Sequence, residues 1–170
     1  MAPSLLFIPD NSGFTKFVNN TAVEHGRHII AELLDVIIES DELGLTVSEV
    51  EGDAVFFYRD GPLPSFDEIV AQSRRMFEAF HRHLKSYEVR RICDCGACEG
   101  ANDLTLKIVV HAGPIELLSV RGFEKPFGTD VIVAHRLLKN DLDQSEYLLV
   151  TDAALQATED VRSPGWSELG

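Results

Sequence analysis

Short apolar runs and longer segments of helical periodicity follow one another along this chain. Runs of alternating or continuous apolar residues, which are typical of strands, occupy residues 5–8, 45–50, 54–58, 104–110, 115–120 and 147–150. Apolar residues spaced three or four positions apart predict helices over residues 23–40, 65–85, 131–138 and 151–157. Ser65 and Glu68 have the spacing of a capping box, and Thr151 is expected to cap the last helix. This order predicts an α+β sandwich, with an antiparallel or mixed sheet and helices packed on one face.

Two connections in the second half of the chain complete this prediction. Pro114 is expected to turn the strand that ends at Gly113 into residues 115–120, so that these two strands form a hairpin. Residues 122–128, with the sequence GFEKPFG, are predicted to be a loop.

Two of the predicted strands carry a carboxylate to their ends. The first run is bounded by Pro9 and followed by Asp10, and residues 11–13 form a turn that can begin a helix. Asp53 lies in the glycine-containing turn between the second and third strands. Two strand-end carboxylates suit a divalent metal ion, and a helix N-terminus beside them suits a phosphate. The alternative is that both aspartates are only turn or cap residues.

A cysteine-rich segment follows the second long helix. Cys93, Cys95 and Cys98 form a C-x-C-x-x-C pattern. These thiols can bind Zn²⁺ if His81, His83 or a partner chain supplies a fourth ligand. The alternative is a set of reduced or reversibly oxidised thiols without a metal. The odd, clustered set of cysteines argues against a secreted disulfide framework.

The bulk composition is that of an ordinary globular domain with a strong negative charge. The 170 residues are 45% hydrophobic and 25% charged, which predicts one domain over residues 1–170 with a substantial core. The formal net charge of −13 argues against DNA or RNA as partners. No apolar run reaches the length of a membrane span and no signal peptide is recognisable, so we expect a cytoplasmic protein without a membrane partner. The abrupt ending SPGWSELG predicts that a longer protein is truncated there.

Three segments in register resemble the catalytic domain of class III nucleotidyl cyclases over about residues 5–150. FIPDNSGFT resembles the F-x-D-I-x-G-F-T motif of that family, and VEGDAVFF resembles the hairpin that carries its second metal aspartate. LKIVVHAGPI followed by FGTDVIVAHRLL resembles V-R-I-G-I-H-T-G-P-V followed by G-D-T-V-N-x-A-x-R-L. The ICDCGAC segment also resembles a divergent bacterial group of cyclase-like proteins.

The resemblance implies a ferredoxin-like domain that works as a head-to-tail homodimer, with active sites at the subunit interface. The implied reaction converts a nucleoside triphosphate into a 3′,5′-cyclic nucleotide and pyrophosphate with two Mg²⁺ or Mn²⁺ ions. The implied metal ligands are Asp10, Asp53 and the backbone carbonyl of Asn11. The N–H groups that would bind the terminal phosphates lie around Gly13, Phe14 and Thr15.

The chain also departs from the cyclase pattern. The transition-state arginine of the family maps to Arg136, but the ribose-orienting asparagine maps to Ile132, which cannot make that hydrogen bond. The base-selecting pair maps to Glu49, which matches the guanine type, and Lys125, which matches neither type. Glu49 can accept from the guanine N1–H and amino group, and Lys125 can donate to O6. Equally, the two side chains can pair with each other and block the base pocket, or Lys125 is a solvated loop residue.

These residues leave three functions open. The first is an active, metal-dependent cyclase, a phosphorus–oxygen lyase, with a preference for GTP. The second is a degenerate cyclase-fold module that binds metal and nucleotide in signal transduction. The third makes the cysteine segment primary, as a zinc- or redox-responsive element. The intact aspartates and Arg136 favour the first function, whereas Ile132 and the unusual base-selecting pair favour the second.

Overall fold

The computed structural model describes residues 1–19, 23–89 and 100–158. Cys93, Cys95 and Cys98 lie outside these residues. In chain order, the elements are β1 (Ser4–Ser12), α1 (Phe14–Asn19), α2 (Val23–Glu39), β2 (Thr46–Glu51), β3 (Ala54–Arg59), α3 (Phe66–Val89), a short 3-10 helix (Ala101–Asp103), β4 (Thr105–Gly113), β5 (Glu116–Val120), β6 (Phe123–Phe127), α4 (Thr129–Leu137), β7 (Tyr147–Val150) and α5 (Asp152–Ala157).

The main sheet is mixed, which confirms the predicted α+β class. Its strand order is β2-β3-β1-β4-β7. Neighbouring strands are antiparallel except for β4 and β7, which are parallel. Strand β1 therefore lies in the centre of the sheet, and its run from Ser4 to Asn11 is buried throughout. A central strand covered on both faces needs such a continuous apolar run.

The hairpin in the second half of the chain is formed by β5 and β6, so the predicted hairpin between residues 115–120 and the strand before them is wrong. β5 pairs with β6, so residues 122–128 are not a loop and residues 115–120 do not pair with β4. Strand β4 already has β1 and β7 as its two neighbours, which leaves β5 to pair with the strand that follows it. Val120 lies opposite Phe123, and the turn residues Arg121 and Gly122 have φ values of 51° and 85°. Positive φ at both positions is typical of a tight two-residue hairpin turn.

The core has two parts, one on each face of the sheet. Alternate residues of β1 point to opposite faces, so Leu5 and Phe7 join the larger cluster while Leu6 and Ile8 join the smaller one. The larger cluster takes its helical residues mainly from α2 and α3. The smaller cluster packs against Ala134 of α4. The helices therefore do not all pack on one face as predicted, because α4 covers the other.

Local signals at helix ends agree with the structure. The predicted capping box before α3 is formed, because Ser65 N–H donates to Glu68 Oε2 at 2.8 Å and Glu68 N–H donates to Ser65 Oγ at 3.2 Å. Thr151 caps α5 by accepting a hydrogen bond from Ala154 N–H. Within the described residues, no helix is both long enough and apolar enough to cross a membrane.

Candidate metal and nucleotide site

Strand β1 is longer than predicted, and this extension places Asp10 inside the sheet. Its register with β4 runs without a break from Ser4 to Ser12, past Pro9. Proline lacks one ladder donor, but the pairing on both sides of it keeps the strand extended. Asp10 is therefore a buried strand residue and not a residue at the strand's tip.

Strand register gathers charged residues on the face covered by α4. Glu51 lies opposite Ala54, Ala54 lies opposite Asp10, and Asp10 lies opposite Lys107. Residues that are directly opposite in an antiparallel ladder project to the same face. Ala54 belongs to the core cluster packed against α4, so the whole row faces that helix.

Asp10 and Asp53 are brought together by the hairpin between β2 and β3. Gly52, with a φ of 61°, turns the chain so that Asp53 comes directly before Ala54, the residue opposite Asp10. The backbone N–H and the side-chain Nδ2 of Asn11 both donate to the carbonyl oxygen of Asp53 at 3.1 Å. These two bonds attach the hairpin to β1 beside the carboxylates.

The electrostatics of the two carboxylates depend on each other. Burial raises the pKa of Asp10, although Lys107 opposes this shift through an ion pair of 3.1 Å between its Nζ and Asp10 Oδ2. Burial, and then the charge of Asp10, raise the pKa of Asp53 to about 6. A second positive charge beside this pair would favour both ionised forms.

The oxygen atoms around the pair fit a Mg²⁺ or Mn²⁺ ion. Asn11 is buried, and its side-chain Oδ1 has no hydrogen-bond partner among the residues that the structure describes. In an extended strand the N–H and C=O of one residue point to the same edge, so the Asn11 carbonyl is directed toward Asp53 as its N–H is. Carboxylate and carbonyl oxygens are the ligands that these hard cations prefer. Asp10, Asp53 and Asn11 therefore offer a suitable donor set.

The raised pKa of Asp53 predicts a pH-dependent stability of the metal-free protein. Protonated Asp53 favours the folded state fully below 3.8, and this stabilisation is lost as the pH rises through about 6. In the presence of EDTA, Asp53→Asn should therefore raise the free energy of unfolding by on the order of 1 kcal/mol at pH 7.5, after allowance for solvent screening. The gain should shrink toward pH 4. Urea titrations between pH 4 and 8 measure it, and a gain that does not change with pH contradicts this account.

The expected phosphate-binding residues lie where β1 passes into α1. Gly13 has a φ of 86°, and its carbonyl accepts a hydrogen bond from Phe17 N–H at 3.0 Å. Phe14 packs against the larger core cluster, whereas Gly13 and Thr15 are exposed. The exposed backbone of this turn is open to a ligand, and phosphate binding there stays a prediction.

Arg136 and Ile132 both lie on α4, one turn apart, and both are exposed. Ile132 retains 54% of its accessible surface. Within the described residues, no hydrogen bond or ion pair connects Arg136 with Asp10 or Asp53. Contacts within one chain therefore join the aspartates with each other but not with this arginine.

Glu49 and Lys125 come from two neighbouring segments. Glu49 is half-buried on β2, and Lys125 is exposed on β6. Pro126, next to Lys125, lines a small cavity together with Glu49 and His135. No ion pair joins Glu49 with Lys125 in the parts of the chain that the structure describes. The predicted base-selecting residues are thus on adjacent segments without direct pairing.

Two side chains of this region, Lys107 and His135, are not among the site residues predicted from the sequence. Lys107 bonds Asp10 and also donates from Nζ to the carbonyl of Leu138 at 3.1 Å, just after α4. The sequence contains a signal for Lys107, because a lone lysine in the apolar run LTLKIVV needs a partner if it is buried. His135, beside Arg136, stacks on Phe56 with ring centroids 4.1 Å apart. Only the packing of α4 on β3 reveals that contact.

A family model described as "Protein of unknown function (DUF2652)" matches residues 30–147, which is more than half of the chain. The chain belongs to the DUF2652 family. A curated relative in Mycobacterium tuberculosis (strain ATCC 25618 / H37Rv), named "Uncharacterized protein Rv2561/Rv2562", is 32% identical over 131 residues. The match covers 77% of this chain and 61% of that protein, so the chain spans about three fifths of its relative's length.

Solved structures with the same fold include two cyclases and a cyclase-like protein. The adenylyl cyclase CyaB from P. aeruginosa superposes with a TM-score of 0.70 at 14% identity, covering 98% of this chain and 89% of that one. The guanylyl cyclase Cya2 gives 0.65 at 18%, covering 98% and 87%. A "Class III adenylyl cyclase-like ATP-binding protein" from Pseudomonas aeruginosa gives 0.71 at 17%, covering 92% and 34%. This DUF2652 chain therefore has the fold of class III cyclase catalytic domains.

Proposed function

We propose that this chain binds a nucleoside triphosphate with Mg²⁺ or Mn²⁺ and converts it into a 3′,5′-cyclic nucleotide and pyrophosphate. The observation that carries the proposal is the pair of interacting carboxylates, Asp10 and Asp53, on a cyclase fold. They lie where β1 meets the β2–β3 hairpin, where burial, and then repulsion from the charge of Asp10, raise the pKa of Asp53. A divalent cation relieves that repulsion.

Each residue of the site has a defined task in this proposal. Asp10, Asp53 and the carbonyl of Asn11 hold the metal. When bound, the metal lowers the pKa of the 3′-hydroxyl and offsets charge at the α-phosphate.

The N–H groups around Gly13, Phe14 and Thr15 bind the terminal phosphates. Glu49 accepts hydrogen bonds from a guanine edge, and Lys125 donates to its O6. Arg136 stabilises charge on the transferred phosphate.

A second copy of the chain completes the site in this proposal. Arg136 makes no described contact with the aspartates of its own chain, which supports its action on the site of a partner. The β5–β6 hairpin and α4 also expose several large apolar side chains, which favour an interface. They are Leu117, Leu118, Val120, Phe123, Phe127 and Ile132.

A degenerate binding module is the second candidate function. Two observations favour it. Ile132 is exposed at the position where the cyclase pattern has an asparagine, and an apolar side chain there cannot orient a ribose. Lys107 already places a positive charge on Asp10, which weakens the demand for a second metal ion. The Zn²⁺ or thiol role of Cys93, Cys95 and Cys98 stays a prediction from the sequence.

Incubation of the purified protein with Mn²⁺ and either ATP or GTP tests the proposal directly. Mass spectrometry of the products distinguishes the two bases, and we expect cyclic GMP to exceed cyclic AMP because of Glu49. Saturable nucleotide binding without any product would exclude the cyclase function and favour the binding module. Neither product nor binding would contradict both functions.

A further inference from the structure

A bulge in the edge strand β2 turns two glutamates toward α4. The register between β2 and β3 shifts between Val47 and Glu49, so Ser48 is an extra residue. After the shift, Glu49 lies opposite Phe56 and Glu51 lies opposite Ala54. Phe56 and Ala54 both belong to the core cluster under α4. Without the bulge, the alternation of the strand would send both glutamates to the other face.

His135 of α4 meets these glutamates. One ligand atom from each of Glu49, Glu51 and His135 lies within 4.8 Å of the other two. The imidazole stacks almost parallel on Phe56, with an interplanar angle of 18°, which fixes the orientation of the ring. Its Nδ1 lies 4.0 Å from Glu51 Oε2, beyond hydrogen-bond distance. The three groups are therefore assembled without being bonded to one another.

We propose that Glu49, Glu51 and His135 form a binding site for Zn²⁺. One imidazole nitrogen with two carboxylate oxygens is a donor set that zinc accepts, at bond lengths of about 2.0–2.2 Å. A nitrogen ligand selects zinc over Mg²⁺, which prefers oxygen alone. The Glu51 side chain is 67% exposed and that of His135 is 35% exposed, so an ion can reach them from solvent. The exposed Glu51 carboxylate can move toward His135 to shorten the 4.0 Å distance between them when the ion binds.

The zinc ligands are different residues from the carboxylate pair of the proposed cyclase centre, although Glu51 lies two residues before Asp53 in the same hairpin. Glu49 is shared with the proposed base-binding residues, so Zn²⁺ and a guanine base would compete for its carboxylate. Two strand spacings, about 10 Å, separate the backbone of Glu51 from that of Asp10, with Ala54 between them. The metal would connect the edge strand β2 to α4, two elements that are distant in the sequence. An ion that binds only the folded state raises its stability.

Calorimetric titration of the full chain with Zn²⁺ tests the site. We expect His135→Ala to remove one bound equivalent, and Glu51→Gln to weaken that equivalent at least about tenfold, since even outer-shell partners of a metal contribute tenfold or more. His28→Ala is the matched control, because His28 is an exposed histidine of α2 that pairs with Glu32 at 2.9 Å and is not a candidate ligand of the cysteine segment. The cysteines are the same in all these proteins, so binding by their thiols cancels in the comparison.

The same titrations can overturn the assignment. Glu51 is an exposed residue, so Glu51→Gln is expected to fold, and its thermal melting without metal verifies this. Full zinc stoichiometry and unchanged affinity in both Glu51→Gln and His135→Ala would refute the site. An equal loss in His28→Ala would also refute it, because the effect would then be general to histidine removal. Displacement of Zn²⁺ from the wild-type chain by about 5 mM Mg²⁺ would contradict the predicted selectivity.

Discussion

Asp10→Asn and Asp53→Asn should each lower Mn²⁺-dependent formation of cyclic nucleotide by about a thousandfold or more. Each substitution keeps the shape of the side chain but removes a negative ligand. A metal that stabilises the attacking and leaving oxygens contributes several kcal/mol to the transition state, and about 4 kcal/mol corresponds to a thousandfold in rate. Initial rates at saturating Mn²⁺ and nucleotide measure the effect.

Asp35→Asn is the control for this loss of activity. Asp35 is an exposed residue of α2, the helix that packs on the opposite face of the sheet from α4. Its substitution removes the same charge from the protein without touching the proposed site, and its rate should stay within about twofold of wild type. Turnover at the wild-type rate in either Asp10→Asn or Asp53→Asn would exclude the carboxylate pair as the metal centre.

Mixing two inactive variants tests whether the site is shared between chains. If Asp10 and Arg136 act from different subunits, a mixture of Asp10→Asn and Arg136→Ala chains forms heterodimers in which one of two sites is intact. Random association then restores about a quarter of the wild-type rate. A mixture that stays inactive, although the subunits exchange, would place Arg136 outside a shared site.

Gly113→Ala should destabilise the protein by about 3 kcal/mol. A Cβ at this position would lie 2.2 Å from Cγ of Asp130, which is far too close. The Asp130 carboxylate cannot simply move away, because its Oδ1 lies 2.8 Å from Nε2 of the buried His111, whose Nδ1 lies 2.8 Å from Thr151 Oγ1. Overpacking costs about 1–3 kcal/mol, and an unpaired buried polar group costs a similar amount. Urea denaturation measures the loss.

Gly100→Ala provides the comparison for Gly113→Ala. Among the described residues, the nearest atom to a Cβ there is Cδ2 of Phe17 at 3.6 Å, an ordinary contact, so we expect a change within about 0.5 kcal/mol. Repeating Gly113→Ala in an Asp130→Ala background removes the clashing carboxylate. The substitution should then cost at least about 1 kcal/mol less than in the wild-type background. An equal cost in both backgrounds would show that Asp130 is not the obstacle.

The sequence predicted those elements whose signals are local. The capping box of Ser65 and Glu68 and the Thr151 cap each involve residues three positions apart, so their pattern is complete within one helical turn. The buried run at the start of β1 was readable for the same reason, whereas the proximity of Asp10 to the Asp53 hairpin was predicted only through the resemblance to cyclase motifs. Patterns of this kind identify an element without showing its neighbours.

Long-range pairing determined the features that the sequence predicted wrongly or did not predict. β5 pairs with β6 because β4 already has a strand on each side. α4 covers the second face of the sheet because Leu6 and Ile8 of β1 make that face apolar. Lys107 became a partner of Asp10 only through the register of β1 with β4. In the same way, one extra residue at Ser48 determines which face Glu49 and Glu51 occupy.

From the sequence alone, then, the chain's element types, its α+β class and its candidate carboxylates were accessible, since each depends on residues close in sequence or on motif order. The face on which each side chain projects, and the partners of buried charges, depended on strand register and helix placement. A shift of one residue in register reverses every side chain of a strand, so these properties belong to the folded sheet as a whole.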